Sequence, residues 1–378
     1  MVSISQTFDW LKAVTPCGTE ALWKEFKASR FTKSPQFHYR ACNFDIAATR
    51  KRLLDLPIRE IENPVFKALL AEKQRELDRQ LELVDVRGTE GFMQVSIDLF
   101  GAATPELYAD ATHILGAVRL DKETGAGGQC VGPAYVIKAA KLHFKHYRSK
   151  CHDFVAEVKR SKDITAGLMV SNNTLLVSEQ ARIPRERLDA LLHHEVGTHI
   201  LTWYNGGRQP LQQLQWGLAH YDELQEGLGV LAEYLAGNLS PQRLRTLAAR
   251  VIAVRLATEG AGFSEVFEVM RSKLEFADRP AFIITTRIFR GGGLTKDVVY
   301  LRGLKKLLAY LREGHSFEKL LIGKFSLSQL PALRKLGESG WLQPLCLIPA
   351  YTHNAASQDR LAECAEVPLE RLYQRLVA

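Results

Sequence analysis

The chain has 378 residues, 46% of them hydrophobic and 24% charged, which excludes intrinsic disorder for most of it and supplies a sizeable core. Lys+Arg exceed Asp+Glu by 50 − 42 = +8, a modest excess that fits an acidic substrate, a nucleic acid or an ordinary basic protein. No run approaches the roughly 18 apolar residues of a membrane span. The opening Met1–Gln6 lacks the charged and apolar regions of a secretory signal, and Cys17, Cys42, Cys130, Cys151, Cys346 and Cys364 form no C-x-x-C pair. The expectation is a cytoplasmic protein with reduced thiols and no membrane partner.

At about 100–200 residues per domain the length suggests two domains. The boundaries expected are 1–120, mainly helical, and 130–378. Apolar residues at three- and four-residue spacings predict helices over 48–56 and 63–84. A third helix spans 105–115, opened by Thr104 as N-cap with Pro105 at its first position. The polar, Gly-rich segment 121–129 reads as a linker. A helix over 133–148 follows, then three short runs, 153–158, 167–170 and 174–177. Ser171, Asn172 and Asn173 separate the last two as a turn would, so a small antiparallel sheet ending in a hairpin is expected. Helices return over 184–204, 222–236, 241–259 and 295–313, the last with Thr295 as N-cap.

The informative motif lies in the first of these helices. His194-Glu195-Val196-Gly197-Thr198-His199 is H-E-x-x-x-H, one residue longer than the H-E-x-x-H of zinc peptidases. Residues four apart share a helix face, whereas five apart diverge by about 140°. A one-turn π-bulge or local unwinding absorbs the extra residue, and Gly197 tolerates either. On the next helix Glu226 can turn inward. Two imidazoles and a carboxylate leave a fourth position open, the pattern of a catalytic rather than a structural zinc. Glu223 and Glu233 are the better candidates for a solvated face.

His194–His199 together with Gln225-Glu226-Gly227-Leu228 resemble the paired signatures of the flavohemoglobin expression-modulating QEGLA-motif family, which includes the animal microtubule-associated tyrosine carboxypeptidases. Residues 286–292 and 295–303 extend the resemblance, which is closer to the bacterial branch, so a tubulin substrate is not carried over. Gly229 stands where the family name has Ala, a difference between two small residues. The resemblance implies an α+β, mainly helical fold. Within it, a zincin-like, gluzincin-type metallopeptidase domain would follow an N-terminal helical region. It further implies one zinc per chain, held by His194, His199 and Glu226, and carboxypeptidase-like trimming of a peptide or protein C-terminus.

In that reading Glu195 is the general base that takes a proton from water and passes it to the leaving amine. Tyr300 is either the donor to the oxyanion or a core tyrosine; it shares a helix face with Lys296. Arg287 and Arg290 are either carboxylate-binding forks or surface arginines. An edge strand, 166–170 or 174–177, would accept an extended peptide, with Asn173 offering side-chain hydrogen bonds. His193 points about 100° away from His194 and reads as structural or supporting. Asp222 or Glu223 could orient a ligand imidazole. The competing reading is a regulatory or binding protein that keeps the fold, affects gene expression and hydrolyses nothing. Glu195 argues against it, since a structural metal site needs no base. No nucleic-acid-binding motif is present, and the lysines and arginines are dispersed.

Overall fold

A computed structural model describes residues 1–119, 129–162, 164 and 167–374. Nearly all of the linker expected at 121–129 lies outside the described residues. The architecture is α+β and mainly helical, with two small sheets. No helix among the described residues is long and apolar enough to cross a membrane.

The chain forms two compact units. One comprises Met1–Ala117 and Arg245–Leu301, the other Val118–Leu244 and Arg302–Ala378. The return of Arg245–Leu301 to the first unit is absent from the division drawn from sequence. Its physical basis is an aromatic core: Phe26 meets Phe267 at 4.9 Å and Phe263 at 5.2 Å, and Trp23 meets Phe282 at 5.1 Å. Rings from the helix Thr19–Ala28 thus bury against rings some 240 residues later, a pairing no local periodicity announces.

In the first unit the long helix Pro64–Asp85 begins where Asn63 Oδ1 accepts from the amides of Val65 (2.9 Å) and Phe66 (3.2 Å), with Pro64 at its first position. Leu69, Leu77, Leu81 and Val84 form its buried face. The helix Pro105–Ala117 starts as expected, Thr104 Oγ1 accepting from the amide of Leu107 at 3.3 Å. Thr295 does not cap the helix Val298–Arg312. Its hydroxyl is buried and bonds to Ser96, and its amide donates to Ser96 Oγ at 2.8 Å. Gly291, Gly292 and Gly293 lead toward this helix. All three have positive φ, and a Cβ at Gly291 would run into the ring of Phe92.

In the second unit the helix Pro133–Lys150 leads into a three-stranded sheet of Glu157–Ser161, Leu168–Ser171 and Thr174–Ser178. This sheet is mixed rather than antiparallel. Thr174–Ser178 is its central strand, antiparallel to Leu168–Ser171 through the hairpin but parallel to Glu157–Ser161. The hairpin inserts its second strand between the other two, which alternation alone could not reveal. Thr174–Ser178 is therefore not an edge. Leu168–Ser171 is, and it packs beside residues Glu195–Ile200. Cys151 and Cys346, 195 residues apart, bring their sulfurs to 2.7 Å.

Candidate metal centre

The helix Arg185–His194 does not end at the motif but changes winding. Glu195–Ile200 is a π-helical turn, and Leu201–Gly207 resumes the α form. Hydrogen bonding from i to i+5 stacks residues five apart, which brings His194 and His199 onto one face. Their rings lie 5.0 Å apart, centroid to centroid. A second helix, Tyr221–Leu235, runs alongside and presents Glu226.

Glu226 Oε2 lies 3.6 Å from His194 Nε2 and 3.8 Å from His199 Nε2, and the three ligand atoms fall within 4.8 Å of one another. The opposite ring nitrogens are engaged. His194 Nδ1 is 2.9 Å from Glu233 Oε1, and His199 Nδ1 is 3.3 Å from Gln225 Oε1. Gln225 Oε1 also accepts from Thr202 Oγ1 at 2.8 Å. With each Nδ1 directed at an acceptor, Nε2 is the nitrogen of each ring left facing Glu226. Two imidazoles and one carboxylate converging in this way suit a divalent ion of the zinc class, with a coordination position to spare.

Glu233 overturns its assignment to a solvated face. Its side chain is 0% exposed and is also held by Arg187 (3.1 Å) and Arg243 (3.0 Å). A buried carboxylate is tolerable only with such partners. Glu233 and Gln225 meet the Nδ1 atoms of the two rings, whereas Glu223, one of the expected orienting groups, pairs with Arg302 and with Lys306 at 2.6 Å. The apolar run Leu228–Ala232 around Glu233 was the available signal that its neighbourhood is buried.

Glu195 is half-buried at the start of the π turn. Burial, reinforced by Glu226 and Glu233, raises its carboxyl to about 7 against the opposing pull of His194. The two histidines diverge. Burial depresses both, but for His194 the carboxylates of Glu226 and Glu233 outweigh it and lift the imidazole to about 10. His199, against a neutral Gln225, falls to about 3. Lys324 is half-buried; burial lowers its ammonium to about 8, with Asp222 and Glu226 pulling the other way. No spacing in the sequence singled it out.

The remaining expected site residues divide between the units. Asn173 is in the second, at the hairpin turn, where its Oδ1 accepts from Thr174 Oγ1 at 3.4 Å. Arg287, Arg290, Lys296 and Tyr300 belong to the first. There the Arg287 fork is engaged by Asp297, both bonds 2.6 Å, so neither surface exposure nor an open fork describes it. Arg290 is buried, and burial lowers its guanidinium to about 10. The ammonium of Lys296 lies 5.8 Å above the ring of Tyr300, the four-residue spacing realised as a contact.

A profile of the microtubule-associated tyrosine carboxypeptidase family matches residues 24–367. Among curated relatives, the chain is 24% identical over 342 residues to microtubule-associated tyrosine carboxypeptidase 1 of Mus musculus and 25% to that of Homo sapiens. In both cases 86% of this chain and 62% of the relative are covered, so the chain spans less than two thirds of their length. Among solved structures, a Colwellia psychrerythraea protein described as a lipoprotein aligns with a TM-score of 0.50 at 12% identity. That alignment covers 78% of this chain and 69% of the other. At that identity the likeness bears on the fold alone.

Proposed function

The chain belongs to the microtubule-associated tyrosine carboxypeptidase family, and from that premise we propose that it is a zinc-dependent carboxypeptidase acting on the C-terminus of a peptide or protein. The observation that carries this reading is the convergence of His194 Nε2, His199 Nε2 and Glu226 Oε2, with both Nδ1 atoms already engaged. One zinc ion held there would supply Lewis acidity, polarising the scissile carbonyl and making water a better acid.

The protein's own groups do the rest. Glu195 accepts the proton of the attacking water at its carboxylate and delivers it to the departing amine. A carboxyl lifted by burial toward neutrality is matched to both halves of that task. Glu233 holds the His194 ring in one orientation, and Gln225 holds His199. The edge strand Leu168–Ser171 beside the π turn supports a zincin-like arrangement in which an extended peptide adds to the sheet. The roles expected of Tyr300, Arg287, Arg290, Lys296 and Asn173 belong to the same proposal.

Zinc-loaded protein is expected to release the last residue from peptides with a free C-terminal carboxylate, read by mass spectrometry. Glu195→Gln should retain zinc and lose roughly 10²–10⁴-fold in rate. Full activity in Glu195→Gln, or no cleavage of any peptide in a random library by zinc-loaded wild type, would overturn the proposal.

A further inference from the structure

A second cluster of the same chemical type lies on the other side of the histidine helix. His143 comes from the helix Pro133–Lys150, and Asp189 and His193 sit one turn apart on Arg185–His194. His143 Nε2 is 3.2 Å from Asp189 Oδ1, and His193 Nε2 is 3.4 Å from Asp189 Oδ2. The two rings meet edge to face at 4.9 Å, and the three ligand atoms lie within 4.8 Å of one another. His193 is additionally braced by the ring of Tyr351 at 5.1 Å.

Two accounts compete for this geometry. In the first, Asp189 simply accepts a proton from each imidazole. The His143 contact at 3.2 Å is a hydrogen bond and the His193 contact at 3.4 Å is at the limit of one, both longer than the about 2.7–2.9 Å of a charge-assisted pair. In the second, the three residues supply corners of a coordination polyhedron. Metal–ligand bonds of about 2.0–2.1 Å at tetrahedral angles set ligand atoms about 3.4 Å apart. Each separation lies close to that edge, with Asp189 turning Oδ1 toward His143 and Oδ2 toward His193.

Burial also favours coordination. The His193 side chain is 9% exposed and its Nδ1 has no hydrogen-bond partner among the described residues, so Nε2 is the nitrogen through which it can act. The Asp189 side chain is 62% exposed, which gives an ion an entry path and water access to the remaining coordination positions.

We propose that His143, Asp189 and His193 form a second divalent-cation site, distinct from that of His194, His199 and Glu226. Its ligands select the zinc class, zinc, nickel or copper, over magnesium and calcium, which require oxygen-rich shells. His193 and His194 are consecutive and point about 100° apart around one helix, so each serves a different ion. The second ion clamps Pro133–Lys150 to Arg185–His194 two residues before the π turn begins.

The test counts zinc by mass spectrometry after equilibration in zinc-buffered solution. It uses the full chain as wild type, Glu226→Ala, His143→Gln, Asp189→Asn and the double variant Glu226→Ala/His143→Gln. The expected pattern is two ions in wild type, one in each single variant and none in the double. Circular dichroism of the metal-free forms identifies any variant that has failed to fold, and the other member of the His143/Asp189 pair then carries the test. Cobalt bound to Glu226→Ala should show the visible absorption of a tetrahedral site and lose it when His143→Gln is added. One zinc in wild type, lost in Glu226→Ala and retained in His143→Gln and Asp189→Asn, would overturn the second site. One zinc retained in Glu226→Ala and lost in His143→Gln would uphold it while sinking the ligand set proposed for catalysis.

Discussion

A Cβ placed on Gly229 would lie 2.5–2.7 Å from three atoms of the His194 ring, nearer than any real Cβ contact. That ring cannot swing away, because Glu233 grips its Nδ1 and is itself held by Arg187 and Arg243. The exchange of Gly for Ala, which looks minor in the sequence, is therefore a change against the ring of a candidate ligand in this chain. Gly229→Ala is expected to weaken zinc binding about 10–100-fold, as loss of ligand orientation does elsewhere, with little change in circular dichroism. Wild-type affinity in a competitive chelator titration would refute it. His194, His199 and Glu226 could be singled out as candidate ligands because their chemistry is written in the residues themselves. Glu233 was not, because a carboxylate reads as solvated until its partners from other elements are known.

Among the elements, the π turn at Glu195–Ile200 is the one the motif demanded: a five-residue histidine interval needs a wider turn than an α-helix provides. The second device is a close helix crossing. A Cβ on Gly227 would come within 2.6 Å of the backbone of Gly303, and one on Gly303 would strike the carbonyl oxygen of Glu223. These glycines let the helix carrying Glu226 approach its neighbour Val298–Arg312 backbone to backbone. Arg302 and Lys306 then reach Glu223 on the same contact. Gly303→Ala should force the helices apart and cost about 1–3 kcal/mol by urea denaturation. An unchanged midpoint would show that the crossing yields freely. The mixed sheet shows the opposite limit. Strand positions were close, but Thr174–Ser178 became central through a parallel pairing that depends on strands meeting in space.

Across the whole molecule, charge and thiol pairings join distant segments. In the first unit Asp297 is 1% exposed and lies between Arg287 at 2.6 Å and Arg250 at 3.4 Å. Burial opposes its ionisation, but the guanidiniums prevail and hold the carboxyl well below the usual carboxylate range. Because the folded-state value is depressed, this stabilisation is fully present above the ordinary Asp pKa of about 3.9 and is lost as pH falls through the folded value. Asp297→Asn should cost about 3–5 kcal/mol at neutral pH by removing the buried carboxylate that faces the Arg287 and Arg250 guanidiniums. It should also flatten the acid limb of stability between about pH 4 and 2. Equal acid slopes in wild type and variant would refute the assignment. In the second unit the contact of Cys151 and Cys346 predicts that diamide removes two titratable thiols from wild type and none from that pair in Cys346→Ser. No change in thiol count in wild type would count against it.

Residue type and short-range spacing were enough to identify the helical character, several helix starts and the two histidines that the π turn brings to one face. Those features depend on side-chain chemistry and on periodicities within one or two turns. Tertiary structure alone decided that Glu233 and Gln225 orient the two imidazoles, that Arg287 is engaged by Asp297, and that Thr295 bonds to Ser96 instead of capping a helix. It also decided that Arg245–Leu301 folds with the first 117 residues and that His143 meets Asp189 and His193. Each of these depends on which groups from distant segments are brought within about 3–4 Å, where hydrogen bonds and ion pairs form. Such distances are properties of the packed chain and have no counterpart in local sequence.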